Sequence, residues 1–208
     1  MQPVSHSNLR TKHPHQSPAP QGRKDYRQAV ERSVTPANCE QLVLKPIAPQ
    51  GRQNINNMAN TLVKIDVHLI FHVKSTGVNM RKDDLPCVFA YIGGIINKIH
   101  GLPIEIGGMP DHVHILTSLP KTMSLSDFVR TIKAESSRWI KTIDEHYMNF
   151  SWQEGYGAFS VSPSILGKTI RYIRGQENHH KKRSFQEEYK MFLDAYGIQY
   201  DECYAFGD

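Results

Sequence analysis

Two histidines, His112 and His114, stand two residues apart in Pro110-Asp111-His112-Val113-His114, inside an apolar run from Ile104 to Leu119. On a strand, alternate side chains leave the same face, so both imidazoles point one way and can share a cation. Two imidazoles suit Mg²⁺ poorly alone; they suit Mn²⁺, Co²⁺ or a mixed site with oxygen ligands. Further along, Tyr172 and Gln176 lie one turn apart in a segment of helical period, which puts a phenol and an amide oxygen on one face. A cation that polarises a phosphate, with a phenol to attack it, is chemistry for a phosphodiester. Each signal has an ordinary reading too. A His-x-His triplet arises by chance among 11 histidines, and a tyrosine at the rim of a helix stripe usually makes one hydrogen bond.

The elements that must position these groups follow from periodicity. Residues 61–74 alternate, with Ile65, Val67, Leu69, Phe71 and Val73 on one face and Asp66, His68, Ile70 and His72 on the other, predicting a half-buried strand. Residues 84–100 predict a helix stopped by Gly101. Residues 103–109 and 111–119 predict a hairpin interrupted at Pro110, and Ser124 caps a helix to about Ile143. Residues 152–161 predict a short aromatic strand. Ser162-Pro163 opens a helix over 164–181, and a last amphipathic helix covers 185–196. The order β-α-β-β-α-β with C-terminal helices predicts an α+β fold, a ferredoxin-like antiparallel sheet with helices packed on one face.

Composition divides the chain near Met58. Residues 1–57 hold seven of the 12 prolines and the whole net charge of +5, with eight Lys/Arg against three Asp/Glu. This stretch is expected to be a disordered basic tail, or an extension upstream of a start at Met58, followed by a single domain over 58–208. Residues 58–208 are formally neutral, so the bulk charge says little about a partner. Cys39, Cys87 and Cys203 show no paired spacing, which favours a reducing compartment and argues against structural zinc. No membrane-length apolar run or secretory signal is present, so a cytoplasmic protein is expected.

Three motifs in order, Pro110-Asp-His-Val-His114, Trp152-Gln-Glu-Gly-Tyr-Gly-Ala-Phe159 and Tyr172-Ile-Arg-Gly-Gln-Glu-Asn-His-His180, resemble the single-tyrosine HUH transposases of the insertion-sequence-two-hundred type, including those associated with repetitive extragenic palindromes. The similarity runs from about Met58 to Phe206. It implies a homodimer, dependent on a divalent metal ion (Mg²⁺ or Mn²⁺) and on no organic cofactor or membrane, that cleaves single-stranded DNA beside a hairpin. By that resemblance His112 and His114 are metal ligands, Tyr172 is the nucleophile and Gln176 the third ligand. It also allows the tyrosine helix to serve the partner subunit's histidines.

Residues that could touch DNA are His68 and His72 on the first strand, Lys133, Arg138 and Lys141 on the second helix, Arg174, and the basic end His179, His180, Lys181, Lys182 and Arg183. A solvated face or helix-dipole complement is the plain alternative for each. Asp111 can orient an imidazole or simply form the turn after Pro110. A relaxase would place the tyrosine before the histidines. A rolling-circle initiator would carry a lysine near the tyrosine, where Arg174 and Gln176 stand. A non-catalytic or host-domesticated hairpin binder would lack some of the four residues, and an RNA-binding module would want aromatics on the central strand.

Overall fold

Alternating apolar residues on two adjacent strands give the sheet one apolar face. The computed structural model describes residues 62–181, 183–202 and 205. Four strands, β1 (Asp66–His72), β2 (Leu102–Met109), β3 (His112–Ser118) and β4 (Gly157–Ser160), form one sheet in the order β2-β3-β1-β4, with every pair antiparallel. The helices are α1 (Leu85–Lys98), α2 (Leu125–Ile140), α3 (Leu166–Arg174), α4 (Gln176–His180) and α5 (Phe185–Ala195). This is the expected α+β, ferredoxin-like arrangement. The tail over 1–57 lies outside the described residues.

Local chemistry sets the helix ends. Ser124 caps α2 by accepting from Asp127 N–H at 3.1 Å, and Ser184 with Glu187 forms a reciprocal capping box at the start of α5. His100, at φ 63°, turns the chain out of α1 into Gly101.

One sheet face carries Phe71 and Ile106 and packs on α1 and α2. The two helices meet through stacked Tyr91 and Trp139 rings 4.3 Å apart. Trp152 packs edge-on against Phe71 and donates to Ser136 on α2. The opposite face is covered by the C-terminal helices. Ile173 of α3 packs on Leu116, and Tyr189 and Leu193 of α5 pack on Ile70 and Phe159. Burying such a side chain contributes about 2 kcal/mol. β1 is therefore buried at all seven positions, not half-buried, because helices far along the chain cover the face that local alternation assigns to water.

Two other expectations change. The helix over 164–181 breaks at Gly175 into α3 and α4. Only Gly157–Ser160 of the aromatic stretch pairs as a strand, with Trp152 bridging Val73 alone. Among the described residues no helix is long and apolar enough to cross a membrane.

Candidate metal and nucleophile site

The register of β1 against β3 pairs His72 with His112, Ile70 with His114 and His68 with Leu116, so the histidines share the face under α3–α5. His114 lies opposite Gly107 on β2. A Cβ there would come within 2.9 Å of the Ile173 side chain and 3.0 Å of its carbonyl, so this glycine lets α3 settle onto the sheet beside the histidines.

His112 Nδ1 lies 2.8 Å from Asp111 Oδ1. We assign the ring proton to Nδ1 from that partner, which leaves Nε2 as a lone pair turned inward. Asp111 thus orients an imidazole. His114 Nδ1 meets His68 Nε2 at 3.0 Å, and its Nε2 is buried without a hydrogen-bond partner.

Around these nitrogens gather oxygens. Gln176 Oε1 is 3.5 Å from His112 Nε2, and Glu188 Oε1 is 3.8 Å from His114 Nε2. Gln176 also donates to Glu188 Oε1 at 2.9 Å. The ligand atoms of His112, His114 and Glu188 all lie within 4.8 Å of one another. Lone pairs facing lone pairs in a buried pocket are costly unless something positive lies between them. The donor set, two imidazoles and a carboxylate with an amide oxygen alongside, therefore fits a divalent ion.

Electrostatics support that reading. Burial pushes His68 down to about 4. Burial, and then the neighbouring His68, His112 and His180, hold His114 well below the ordinary histidine value. Burial thus favours the neutral form of His114, as ligation requires, and of the His68 ring that supports it. Burial and then the Asp111 charge push the Glu188 carboxyl up to about 7. His180 Nε2 lies 2.7 Å from Glu188 Oε2, not aligned as a hydrogen bond.

Tyr172 comes to the same place within the same chain. Its ring stands edge-on to His114 at 5.8 Å and to Phe192 at 5.6 Å, and its Oη is buried with no hydrogen-bond partner. The structure thus brings together His112, His114, Tyr172 and Gln176.

The residues expected to touch DNA are placed differently from one another. His68 is 2% exposed and serves His114, not a surface, and His72 is buried with Nδ1 2.6 Å from the Val73 carbonyl. Lys133 donates to the carbonyls of Gln153, Glu154 and Gly155 at 2.5, 3.0 and 2.9 Å, stapling the loop before β4 on the sheet face away from the site. Arg138 is exposed on the same helix. Arg174 pairs with Glu105 at 2.8 Å. His179 is exposed, its ring 5.0 Å from Tyr172. Lys181 is exposed and reaches Asn178. Lys182 lies outside the described residues.

Glu188 was not among the residues the sequence singled out. A signal was available: in Phe185-x-x-Glu188-Tyr189-x-x-Phe192 an acid interrupts the apolar stripe of a helix, and an acid on a buried stripe needs a partner.

Residues 61–176, more than half of the chain, match the family model for IS200-like transposases. The ISDra2 transposase TnpA of Deinococcus radiodurans is 26% identical over 123 residues, spanning 55% of this chain and 86% of that protein. Among solved structures, a Deinococcus radiodurans R1 protein provisionally termed a transposase is 20% identical, with a TM-score of 0.45 over 59% of this chain and 98% of that one. A REP-associated tyrosine transposase bound to a REP hairpin is 13% identical, with a TM-score of 0.45 over 61% and 74%. With its histidine pair, tyrosine and amide inside or at the edge of the matched span, the chain belongs to the IS200-like transposase family.

Proposed function

We propose that this transposase is a metal-dependent single-strand DNA endonuclease and strand transferase that acts beside DNA hairpins through a 5′-phosphotyrosine on Tyr172. The observation that carries the reading is the convergence, in one protomer, of an unpartnered Tyr172 Oη and the His112–His114 face. A divalent ion, Mg²⁺ or Mn²⁺, would be held by His112, His114 and Glu188 with Gln176 Oε1 alongside, and bound there it polarises the scissile phosphate.

The protein's own groups do the rest. A phenol with an ordinary pKa near 10 is a weak nucleophile at neutral pH, so orientation must supply much of the rate. Packing against His114 and Phe192 fixes the Tyr172 ring. Its oxygen attacks phosphorus in line; the P–Oη bond forms, the P–O3′ bond breaks, and the proton lost by the phenol is balanced by the one the departing 3′-oxygen takes up from solvent. One phosphodiester replaces another, so neither ATP nor an organic cofactor is needed. A second DNA 3′-hydroxyl reverses the step and joins strands. The proposal includes a homodimer with one complete site per protomer, acting where cellular DNA lies.

The test is covalent capture. The protein is incubated with Mn²⁺ and labelled single-stranded hairpins carrying randomised flanks. A denaturing gel is expected to show a DNA–protein adduct that peptide mapping places on Tyr172. Cleavage without an adduct, or an adduct elsewhere, would sink the assignment.

The Glu188 carboxyl adds a pH expectation. Ligation requires the carboxylate, whose free pKa is raised to about 7. Mn²⁺ binding at pH 6 therefore releases close to one proton, and at pH 8 almost none. Apparent affinity climbs about tenfold per pH unit below 7 and flattens above it. Calorimetry in buffers of different ionisation enthalpy measures this directly, and Glu188→Gln is expected to remove the released proton.

A further inference from the structure

Beside Tyr172 a crevice of about 340 Å³ runs between α3 and α5. Tyr172 and Glu188 line it, and Met191, Phe192 and Ala195 give it a wall that is almost entirely carbon. Around it lie three basic residues, Lys168, His179 and Arg183, all exposed. Lys168 has no carboxylate partner among the described residues. The Arg183 guanidinium rests on Met191 Sδ at 3.0 Å and likewise has no described carboxylate within ion-pair reach. Arg174 and Lys133, by contrast, are committed to Glu105 and to backbone carbonyls.

We propose that this crevice seats one nucleotide of the single-stranded DNA next to the phosphodiester that Tyr172 attacks. The base lies against the α5 wall and the flanking phosphates meet Lys168 and Arg183. The inference rests on the proposed function and names the part of the substrate that the site holds. An anion alone would have no use for a carbon wall, and an apolar ligand alone would have no use for the cations. A nucleotide has both a π-face and phosphate charge. The volume, about that of eleven waters, admits one base with its sugar. Single-strand sites elsewhere combine the same two contacts, stacking and phosphate neutralisation.

The experiment measures metal-free binding of two fluorescent probes by anisotropy, a twelve-residue oligothymidylate and an abasic strand of equal length. Wild type is expected to prefer the oligothymidylate by about tenfold, the scale of one stacked base. Ala195→Trp, which fills the crevice from an exposed position on the last turn of α5, is expected to abolish that preference while leaving Mn²⁺ affinity intact. Lys168→Ala with Arg183→Ala is expected to weaken both probes and to lower the salt dependence of binding by about 1.4, two phosphates at roughly 0.7 each. Arg130→Ala, on the other sheet face, is expected to change nothing.

A wild type that binds both strands equally, an Ala195→Trp protein that keeps the preference, or a double variant with an unaltered salt slope each overturns the proposal. Adduct formation separates it from the reading beneath it. If wild type and Ala195→Trp form adducts equally well, the seat is wrong and the nuclease stands. If the binding pattern holds but no adduct forms, the seat stands and the nuclease assignment fails.

Discussion

Tyr172→Phe is expected to reduce covalent capture of hairpin DNA to background, and mixing it with His114→Asn protein is expected to restore nothing. The first half follows from the proposed chemistry: phenylalanine keeps the ring packing on His114 and Phe192 while removing the oxygen proposed to attack. The second half follows from chain continuity. Tyr172, Gln176 and Glu188 meet His112 and His114 of their own protomer. In a mixed dimer, every site then carries one defect. Were sites built from two chains, a mixed dimer would hold one intact site, and the mixture would give about a quarter of the wild-type adduct because half of the dimers are mixed. The same denaturing gel that detects the wild-type adduct reads the difference. A yield near that fraction would show that the tyrosine helix exchanges between subunits in solution.

Gly108→Ala is expected to destabilise the protein by about 3 kcal/mol, combining a strained backbone with overpacking. Gly108 has φ +152°, and a Cβ there would lie 2.3 Å from the His112 carbonyl oxygen and 2.9 Å from Val113 Cα. Both obstacles are backbone, so no rotamer change relieves them. The β2–β3 hairpin must open where it carries His112. For a domain of this size the melting temperature is expected to fall roughly 10 °C, and Mn²⁺ affinity should fall with it because the displaced atom belongs to a residue of the proposed metal site. Gly94→Ala provides the comparison: a Cβ there meets nothing within 4 Å, and on an α1 position alanine is the better helix former. Unchanged melting in Gly108→Ala would show that the hairpin relaxes without cost.

The sheet was legible because alternation is a local property. Val67, Leu69 and Phe71 on β1, and Val113 and Ile115 on β3, announce one face, and Pro110 marks the turn between β2 and β3. Tyr172 and the histidine pair stood out as motifs, and the structure places them together. Burial of the second face was not, since nothing near His68 and His72 says that α3 and α5 return to cover them. A histidine in a strand reads as polar until its partner is known, and the partner of His68 is His114, 46 residues away. Glu188 could be marked as an acid on an apolar stripe but not matched to its companions, which lie on β3 and α4. The break at Gly175 could have been weighed more heavily, since glycine inside a helix costs about 1 kcal/mol. Its N–H reaches both Arg171 and Tyr172 carbonyls, which turns α4 so that Gln176 enters the site.

The order in which the pieces of the site occur along the chain has a consequence for biosynthesis. A ribosome releases the histidine strand first, the phenol later and Glu188 later still, and the site depends on all of them. On the proposed function, a nascent polypeptide therefore emerges inert, and competence to nick arrives only after α5 has docked.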